Sequence, residues 1–325
     1  MATGVILLNM GGPDSLEAVR PFLFNLFSDR KIIRLGPSFL QRPIAWFIAK
    51  KRAPKSAACY AKIGGKSPLL HITELQAKKL NRQLDQDAPD FAPFYCVPGM
   101  RYYSPRTPMQ MAMLKEKGVR RFIALSLYPH YSLATSGTSV DDFKKAADAL
   151  KIDDYLVIDS YPDHPLYIKA LERCVLEGVS KIKDRANFRL VYSAHSLPQK
   201  MVDMGDPYVN HIKRTIRALE KRTGIEGSLC FQSRSGPVKW LEPATDHFLI
   251  KLAEEGVKEI LCLPISFVSD HIETLYEIDI LYRDMLREKG VRLVRTPSLN
   301  DSDLFISCLK ELVREKLNGG AKGLE

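Results

Sequence analysis

A histidine set between small residues follows a strand-like apolar run in the stretch YSAHSLP, residues 192–198. This histidine, His195, is a chemical candidate because a neutral imidazole can accept a proton or ligate a divalent metal near neutral pH. A second candidate stretch, SDHIETLYE, places His271 and Glu273 two residues apart. A purely structural role for His195 stays open, since either kind of chemistry requires the histidine and the carboxylate to meet in space.

The segment DHIETLYEIDILYRDML has the periodicity of an α-helix. Helical spacing puts Glu273 and Glu277 on one face, with Asp284 two turns further along. If this acidic stripe lines a pocket, mutual repulsion raises the pKa of some carboxylates and lets them pass protons near neutral pH. The alternative is that Asp270 and Glu273 form a capping box and Glu277 faces solvent.

Metal and nucleotide motifs have little support. The chain has no HExxH pair, and His195 lies too far from His271 in sequence for spacing to indicate a metal site. The paired glycines of NMGGP and KIGGKSP fit neither GxGxxG nor GxxxxGK[ST]. Gly11 and Gly12 are therefore expected to form a tight turn.

The elements that must position these residues repeat along the chain. GVRRFIALSLYP is similar to GVKEILCLPISF, FYCVPGMRYYSP to SLCFQSRSGPVKW, and VILLNMGGP to RLVYSAHSLP, in the same order. Continuous apolar strands that alternate with amphipathic helices indicate parallel sheets covered on both faces. The sequence predicts two doubly wound α/β halves, residues 1–165 and 166–325, with a cleft at the carboxyl ends of the strands.

Composition indicates a soluble globular protein of 325 residues, with 45% hydrophobic and 26% charged residues. Six scattered cysteines without CxxC spacing suggest a reducing compartment, and neither a leader nor a run of about 20 apolar residues is seen. We expect a cytoplasmic protein. The net charge of +10 is compatible with nucleic acid, an anionic membrane face or a carboxylated substrate.

The stretch IAWFIAKKR, residues 44–52, places six apolar residues before the cations Lys50, Lys51 and Arg52. One interpretation is a buried helix end with a charged tail. The other is an exposed lip that contacts a membrane surface or guides a flat apolar ligand.

Motifs along the whole chain resemble those of ferrochelatases, which insert ferrous iron into a porphyrin in the last step of haem synthesis. They are LNMGGP, YAKIGGKSP, GMRYYSP, LYPHYSLATSGTS, SAHSLP, GDPY, QSRSGPVKWLEP and FVSDHIETLYEID. The resemblance implies a chelatase-like fold of two Rossmann-like halves, with the active-site cleft between them and a porphyrin-gripping lip on the first half. It also implies a lyase with protoporphyrin IX and ferrous iron as substrates.

The resemblance assigns residues as well. The implied catalytic set is His195, Glu273, Glu277, Asp270 and His271, with His195 and Glu273 as the iron ligands. The implied porphyrin contacts are Met10, Arg52, Tyr60, Ser67, Arg101, Tyr102, Tyr128 and Trp240. Which residue is the base and which the ligand stays open, as does the direction that His130 faces.

Further expectations concern cofactors and partners. Some ferrochelatases hold an iron–sulfur cluster with cysteines of a carboxy-terminal extension, and since no cysteine follows Cys308 here, the resemblance implies no cluster and no other tightly bound cofactor. Family members that use coproporphyrin tend to have a tyrosine-containing turn where this chain has NMGGP, so the resemblance implies that Met10 favours protoporphyrin. We expect no nucleic-acid partner, a monomer or homodimer, and either a free cytoplasmic location or attachment to the inner face of the cytoplasmic membrane through residues 44–52. The alternatives are a chelatase for another tetrapyrrole, of the coproporphyrin or sirohydrochlorin type, and a non-catalytic tetrapyrrole carrier.

Overall fold

The computed structural model describes residues 2–234, 236 and 238–321. The strands are β1 (Thr3–Asn9), β2 (Phe94–Met100), β3 (Arg121–Ser126), β4 (Tyr155–Ile158), β5 (Arg189–His195), β6 (Gly227–Gln232), β7 (Glu259–Leu263) and β8 (Arg292–Arg295). The α-helices are α1 (Val19–Ser28), α2 (Gln41–Ala61), α3 (Leu69–Asp87), α4 (Thr107–Glu116), α5 (Thr138–Ala149), α6 (Pro165–Ser180), α7 (Gln199–Asp203), α8 (Tyr208–Thr223), α9 (Thr245–Glu254), α10 (Arg283–Arg287) and α11 (Asp303–Ala321). A π-helix spans Glu273–Tyr282.

The strands form two parallel four-stranded sheets with the same internal order. The first sheet runs β2-β1-β3-β4 and the second β6-β5-β7-β8. The three pairs of similar sequence segments contain β1 and β5, β2 and β6, and β3 and β7, which hold equivalent places in the two sheets. The predicted fold of two doubly wound α/β halves is confirmed.

Strand β1 shows why these sheets are covered on both sides. Side chains alternate across a strand, yet every residue of β1 is buried. Ile6 and Leu8 pack on one face against Leu114 and Phe143 from the helices. The continuous apolar run in the sequence is therefore the run of a fully buried parallel strand.

The chain forms two compact units. The first holds the residues up to Tyr161 together with the chain from Asn300 onward, and the second holds Pro162–Leu299. The sequence prediction placed residues 300–325 in the second half, which is wrong for residues 300–321; residues 322–325 lie outside the described residues. Helix α11 packs on α3, and Gln76 Nε2 donates to the Asn300 carbonyl oxygen at 2.7 Å. Because one face of α11 is buried against α3, this helix belongs to the first unit although it comes last in the chain.

Helices α1 and α2 pack against each other as a hairpin in the first unit. Along α2, Ala45 and Ala49 are buried, whereas Trp46 is 46% and Phe47 62% exposed. Phe39, just before α2, is 76% exposed. Residues 44–52 thus present an apolar surface rather than a buried helix end. In the described part of the chain, no helix combines the length and the hydropathy needed to cross a membrane.

Candidate active site

The ends of three adjacent strands bring the candidate residues together in the second unit. His195 is the last residue of β5, Gln232 the last of β6, and the segment with Glu273 follows β7. Both β6 and β7 pair in parallel with β5. Because parallel strands end at the same edge of the sheet, residues distant in sequence become neighbours at the place where such sheets bind ligands.

His195 is held by its backbone and by one ring nitrogen. Its backbone N–H donates to Ser266 Oγ at 2.9 Å, and its carbonyl oxygen accepts from Tyr208 Oη at 3.0 Å. Nδ1 lies 2.6 Å from the Ser196 carbonyl oxygen, so Nδ1 carries a proton. Nε2 faces Glu273 Oε1 at 3.4 Å, with the His195 side chain 35% exposed. The ring is fixed and presents Nε2 as its reactive atom.

Glu273 lies between two imidazoles. Its Oε2 is 3.3 Å from His271 Nε2, whereas its other oxygen, Oε1, faces His195. His271 Nδ1 in turn lies 3.1 Å from the Ser269 carbonyl oxygen, and its ring packs against Phe267 with the centroids 4.3 Å apart. The carboxylate is therefore oriented by two histidines, each of which is anchored to the backbone through its other nitrogen.

Glu277 is the second carboxylate of the site. Ser233 Oγ donates to its Oε2 at 2.7 Å, and Gln232 Nε2 donates to the same oxygen at 3.1 Å. Gln232 presents its nitrogen in this direction because Ser193 Oγ donates to Oε1 of the same amide at 2.6 Å. Glu277 is thus held by hydrogen bonds and does not form the solvated face of the alternative interpretation.

Burial and mutual charge separate the pKa values of these groups. Burial works against protonation of His195, but the charge and hydrogen bond of Glu273 outweigh it and raise the pKa of His195 to about 9. Burial of Glu273 is likewise outweighed by His195 and His271, which hold the pKa of Glu273 far below its usual range. Burial first, and then repulsion from Glu273, raise the pKa of Glu277 to about 7. Without substrate, the site holds an imidazolium–carboxylate pair beside a carboxyl group that exchanges protons near neutral pH.

Asp270 does not cap the helix. The residue at the N-cap position is Ile272, and no side chain caps the helix there. Asp270 Oδ1 instead accepts hydrogen bonds from Thr274 Oγ1 at 3.0 Å, Ser298 Oγ at 2.7 Å and Arg295 at 3.0 Å. The alternative interpretation of a capping box is therefore wrong, because the carboxylate is occupied by Thr274 and by two donors distant in sequence, Ser298 and Arg295, which spacing does not reveal.

The helix itself differs from the prediction. An α-helix was expected, but Glu273–Tyr282 forms a π-helix that continues into α10. Asp284, in α10, pairs on the surface with Arg287 at 2.9 Å. Long π-helices are rare and mark functional sites. Apolar periodicity does not distinguish them from α-helices over a segment of this length.

Trp240 lies beside the loop that follows His195. Its segment pairs with residues 197–199, since Leu241 N donates to the Leu197 carbonyl oxygen and Gln199 N to that of Lys239. Trp240 is partly buried. The structure thus places this predicted aromatic residue in the same unit as His195.

Several predicted substrate contacts lie near the strand ends of the first unit. Met10 follows β1, and its carbonyl oxygen accepts from Tyr102 N at 2.9 Å. Ser67 packs under the NMGGP turn, where its backbone N–H donates to the Pro13 carbonyl oxygen at 2.7 Å. Tyr128, after β3, is partly exposed, whereas His130 is 1% exposed and packs in the interior.

Arg101 and Tyr102 have a partner within the protein. Asp29, whose side chain is 8% exposed, accepts from Arg101 Nη2 at 2.8 Å, from Tyr102 Oη at 2.9 Å and from Thr138 Oγ1 at 2.6 Å. Tyr102 is 2% exposed. Sequence reasoning missed Asp29, because a lone aspartate after a helix gives no signal of a buried ion pair.

Arg52 and Tyr60 lie on α2. Arg52 is exposed, and its guanidinium carbon is 5.5 Å from the centre of the Phe27 ring. Tyr60 is 5% exposed.

Sequence reasoning also missed Ser193, Gln232, Ser233, Ser266 and Tyr208, which orient the site in the second unit. The available signals were that Gln232 ends a strand that repeats β2, and that the motifs SAHSLP, GDPY and QSRSGPVKWLEP contain four of these residues.

Two parallel sheets of the same order, with a histidine–carboxylate pair at the strand ends, define an α/β protein of the chelatase fold. Among solved structures, SirB from Bacillus subtilis with Fe3+ matches with a TM-score of 0.55 over 100% of this chain and 98% of that one, at 10% identity. A second structure, the sirohydrochlorin chelatase SirB from Bacillus subtilis subspecies spizizenii in complex with cobalt, also matches with a TM-score of 0.55, over 97% and 95%. At this identity the likeness shows the fold alone.

The ferrochelatase family model matches residues 2–317. The ferrochelatase of Geotalea daltonii is 53% identical over 315 residues, covering 96% of this chain and 97% of the relative. The ferrochelatase of Synechocystis sp. is 44% identical over 322 residues, covering 97% and 82%. The chain belongs to the ferrochelatase family, and the resemblance seen in the sequence motifs is confirmed.

Among the described residues, no group of three or more histidine, cysteine, aspartate or glutamate side chains has the arrangement of a metal site. His195 Nε2 and the Glu273 carboxylate can nevertheless contact one ion together, since they lie 3.4 Å apart. Iron is a substrate of the family's reaction, and a pair of this kind offers it two donors.

Proposed function

We propose that this protein is a lyase that inserts ferrous iron into a porphyrin, the reaction of the family to which it belongs. The observation that carries the proposal is the pair of His195, at the end of β5, and Glu273, in the π-helix that follows the adjacent parallel strand β7. Insertion requires two pyrrole N–H protons to leave while a dication enters the ring. A histidine and two carboxylates supply the base that the departing protons need and the negative charge that the entering dication needs.

In our proposal His195 takes the first proton and Glu273 receives the iron. The charge of iron beside Glu273 repels a proton on His195, so that arrival of the metal frees Nε2 to act as a base. Nδ1 keeps its proton on the Ser196 carbonyl oxygen, and the ring stays oriented during the transfer. Glu277, next along the π-helix, takes protons away from the pair through its position beside Ser233 and Gln232.

Asp270 and His271 receive supporting roles in this proposal. His271 orients Glu273 through its Nε2. Asp270 was expected to relay protons or metal, but its Oδ1 accepts three hydrogen bonds, which suits a residue that holds the segment in place. The proposed catalytic set is therefore His195, Glu273 and Glu277.

The porphyrin we propose is protoporphyrin IX, bound with Met10, Tyr128 and Trp240 as apolar contacts. For the propionates we propose Arg52 and Ser67, because Arg101 already forms an ion pair with Asp29. Tyr60 and Tyr102 are buried and are proposed to support the hairpin and the β2 loop. An arginine matches the planar geometry of a carboxylate, which orients the macrocycle through its propionate.

The substrate is tested by anaerobic insertion assays with protoporphyrin IX, coproporphyrin III and sirohydrochlorin, each with ferrous iron, followed by the visible spectrum. We expect the largest kcat/KM with protoporphyrin IX. A larger value with coproporphyrin III would overturn the choice of porphyrin. Turnover of sirohydrochlorin alone would overturn the proposed reaction, and binding without turnover of any of the three would favour a carrier.

We also propose a cytoplasmic location with reversible attachment to an anionic membrane face through the α1–α2 hairpin. Phe39, Trp46 and Phe47 are exposed, and the cations Lys50, Lys51 and Arg52 follow them on α2. Aromatic side chains beside cations suit the interface between acyl chains and anionic headgroups. The proposal needs no spanning helix.

Vesicle binding tests this attachment. Each basic residue near an anionic surface contributes about 1 kcal/mol, so replacing Lys50, Lys51 and Arg52 by glutamine should weaken binding to anionic vesicles roughly 100-fold. The matched control replaces three exposed cations of α8, Lys213, Arg217 and Lys221, by glutamine. Equal losses in the two triple variants would show attraction by net charge and overturn the hairpin as the contact.

A further inference from the structure

A buried ion cluster joins strand β8 to the segment that carries the catalytic carboxylates. Arg295, the last residue of β8, has a side chain that is 12% exposed. Its Nη1 donates to Asp270 Oδ1 at 3.0 Å, and its Nε and Nη2 donate to Asp279 Oδ2 at 2.9 and 2.8 Å. Asp270 precedes the π-helix and Asp279 lies within it. One guanidinium therefore ties together two points that flank Glu273 and Glu277.

The geometry of this segment needs an explanation. A π-helix has wide i→i+5 turns, and it usually occurs as a single turn inside an α-helix. Here it spans Glu273–Tyr282 and reverts to an α-helix at Arg283. The contact with Arg295 lies within the π-helical part, at Asp279, four residues before this reversion. The wide π-helical turns and the aspartates that Arg295 contacts thus lie in the same segment of the chain.

Only a bidentate side chain can make this link. The planar guanidinium reaches two carboxylates with separate donors, whereas an ammonium group is a single point of charge. Each aspartate also has a local partner: Ser298 donates to Asp270, and Arg283 contacts Asp279 at 2.9 Å with its side chain 49% exposed. Loss of Arg295 would leave each aspartate a partner of its own and remove the connection between them.

We propose that Arg295 is a positioning residue for catalysis, which holds residues 270–279 in the wide-turn geometry that sets Glu273 against His195 and Glu277 against Gln232. Arg295 itself contacts neither histidine of the site in the structure, and it acts through Asp270 and Asp279. This inference rests on the proposed function, because the geometry it maintains matters only if Glu273 and Glu277 take part in the reaction.

The alternative is that Arg295 is an ordinary stabilising residue. Strand β8 offers a control for this. Arg292 lies three residues earlier and donates to Glu259 Oε1 at 2.6 Å, a carboxylate with an 8% exposed side chain. Glu259 also accepts from the backbone N–H groups of Lys183 and Asp184, and none of these three donors belongs to residues 270–279. Arg292 thus shares the strand, the residue type and a buried carboxylate partner with Arg295.

The experiment compares Arg295→Met, Arg295→Lys, Arg292→Met and Arg283→Met in the full chain. Thermal unfolding gives the stability of each variant, and anaerobic insertion kinetics give kcat and the KM for porphyrin separately. Displacement of catalytic groups by about 1 Å can lower turnover 100-fold, so we expect Arg295→Met to lower kcat by about 10- to 100-fold with the porphyrin KM within about twofold.

The conservative variant Arg295→Lys should recover part of kcat, since it keeps one of the two contacts. Arg292→Met should lower the melting temperature while kcat stays within about twofold. Arg283→Met should change neither strongly, because Arg283 is 49% exposed and Asp279 keeps its contact with Arg295. A folded Arg295→Met or Arg295→Lys with wild-type kcat would overturn the inference, as would an equal fall of kcat in Arg292→Met. If Arg295→Met does not fold, the lysine variant decides the matter. A wild-type protein without any insertion activity would instead refute the proposed function.

Discussion

Glu273 is the residue on which the electrostatics of the site depend. It contacts His195 and His271 through its two different oxygens, and both imidazoles stabilise its charged form. The same carboxylate raises the pKa values of His195 and of Glu277. A neutral side chain of the same shape at this position would therefore change the protonation of the whole site with little change in packing.

Replacing Glu273 by glutamine should accordingly lower kcat much more than porphyrin affinity. We expect a loss of kcat of about 100-fold or more, the scale of a lost acid–base or charge-stabilising group, with the porphyrin Kd nearly unchanged. Insertion kinetics and fluorescence titration with protoporphyrin IX measure the two quantities. Parallel losses in both would assign Glu273 to binding.

Asp29, again a single residue, gives a prediction on how the stability of the protein depends on pH. Burial opposes its charge, but Thr138, the Lys31 backbone, Arg101 and Tyr102 outweigh burial and lower the pKa of Asp29. Because its pKa is lowered in the folded state, ionised Asp29 stabilises the folded protein. This stabilisation is fully present above the pKa of an unfolded-state aspartate, about 3.9, and it is lost as the pH falls through the folded-state pKa.

Asp29→Asn should therefore destabilise the protein by about 3 kcal/mol at pH 7, the scale of a broken buried ion pair, with the difference shrinking below about pH 4. Denaturant unfolding at several pH values measures it. The control is Asp141→Asn, because Asp141 pairs with Lys31 on the surface and both side chains are 42% exposed. A difference from wild type that is constant down to pH 3 would contradict the account.

At the scale of elements, the turn after β1 shows why NMGGP carries two glycines. Gly11 has φ +82°, and a Cβ on Gly12 would lie 2.5 Å from Ser67 Cβ. The close approach lets Ser67 N–H donate to the Pro13 carbonyl oxygen. The motif thus positions Met10 and Ser67, two proposed porphyrin contacts, and the sequence prediction of a tight turn agrees with this geometry.

Gly12→Ala should cost about 1–3 kcal/mol of stability through overpacking, and it should raise the porphyrin KM by displacing Ser67. Thermal unfolding and insertion kinetics test both effects. Gly319→Ala in α11 is the control: a Cβ there meets no atom within 4 Å, and the substitution should be neutral or slightly stabilising. A Gly12 variant with unchanged stability and KM would contradict the close packing of the turn.

How far the sequence predicts the elements depends on the range of the contacts that form them. Buried parallel strands are visible because the inner positions of β1 and β5, residues 4–8 and 190–194, are apolar, aromatic or small. His195 was found because it ends such a strand, and Glu273 because its segment follows one. The π-helix was not predicted, since Glu273–Tyr282 has a pattern that an α-helix satisfies equally well. Asp29 and Arg295 were missed because their partners are distant in sequence.

At the scale of the whole molecule, α11 completes the first unit. Phe305, Ile306, Leu309 and Val313 are fully buried, and α11 packs on α3. Chain order alone assigned this helix to the second half. Four large apolar residues at helical spacing predict that the helix is buried, but they do not say against which partner.

Phe305→Ala should lower the free energy of unfolding by about 3–5 kcal/mol through the cavity that it creates, and it should speed amide exchange in α3 and α11. Leu304→Ala, at a position that is 36% exposed, is the neighbouring control and should cost about 1 kcal/mol or less. Exchange that is unchanged in α3 would contradict the packing of α11 on this helix.

The central claim is that His195, held opposite Glu273, makes this member of the ferrochelatase family a catalyst of iron insertion. The most direct measurement mixes the purified protein anaerobically with protoporphyrin IX and ferrous iron and follows the loss of free porphyrin and the growth of haem, with His195→Ala in parallel. The account predicts many turnovers by the wild type and none above background by a folded His195→Ala that still binds porphyrin. Substantial turnover by His195→Ala, or only stoichiometric binding by the wild type, would contradict it.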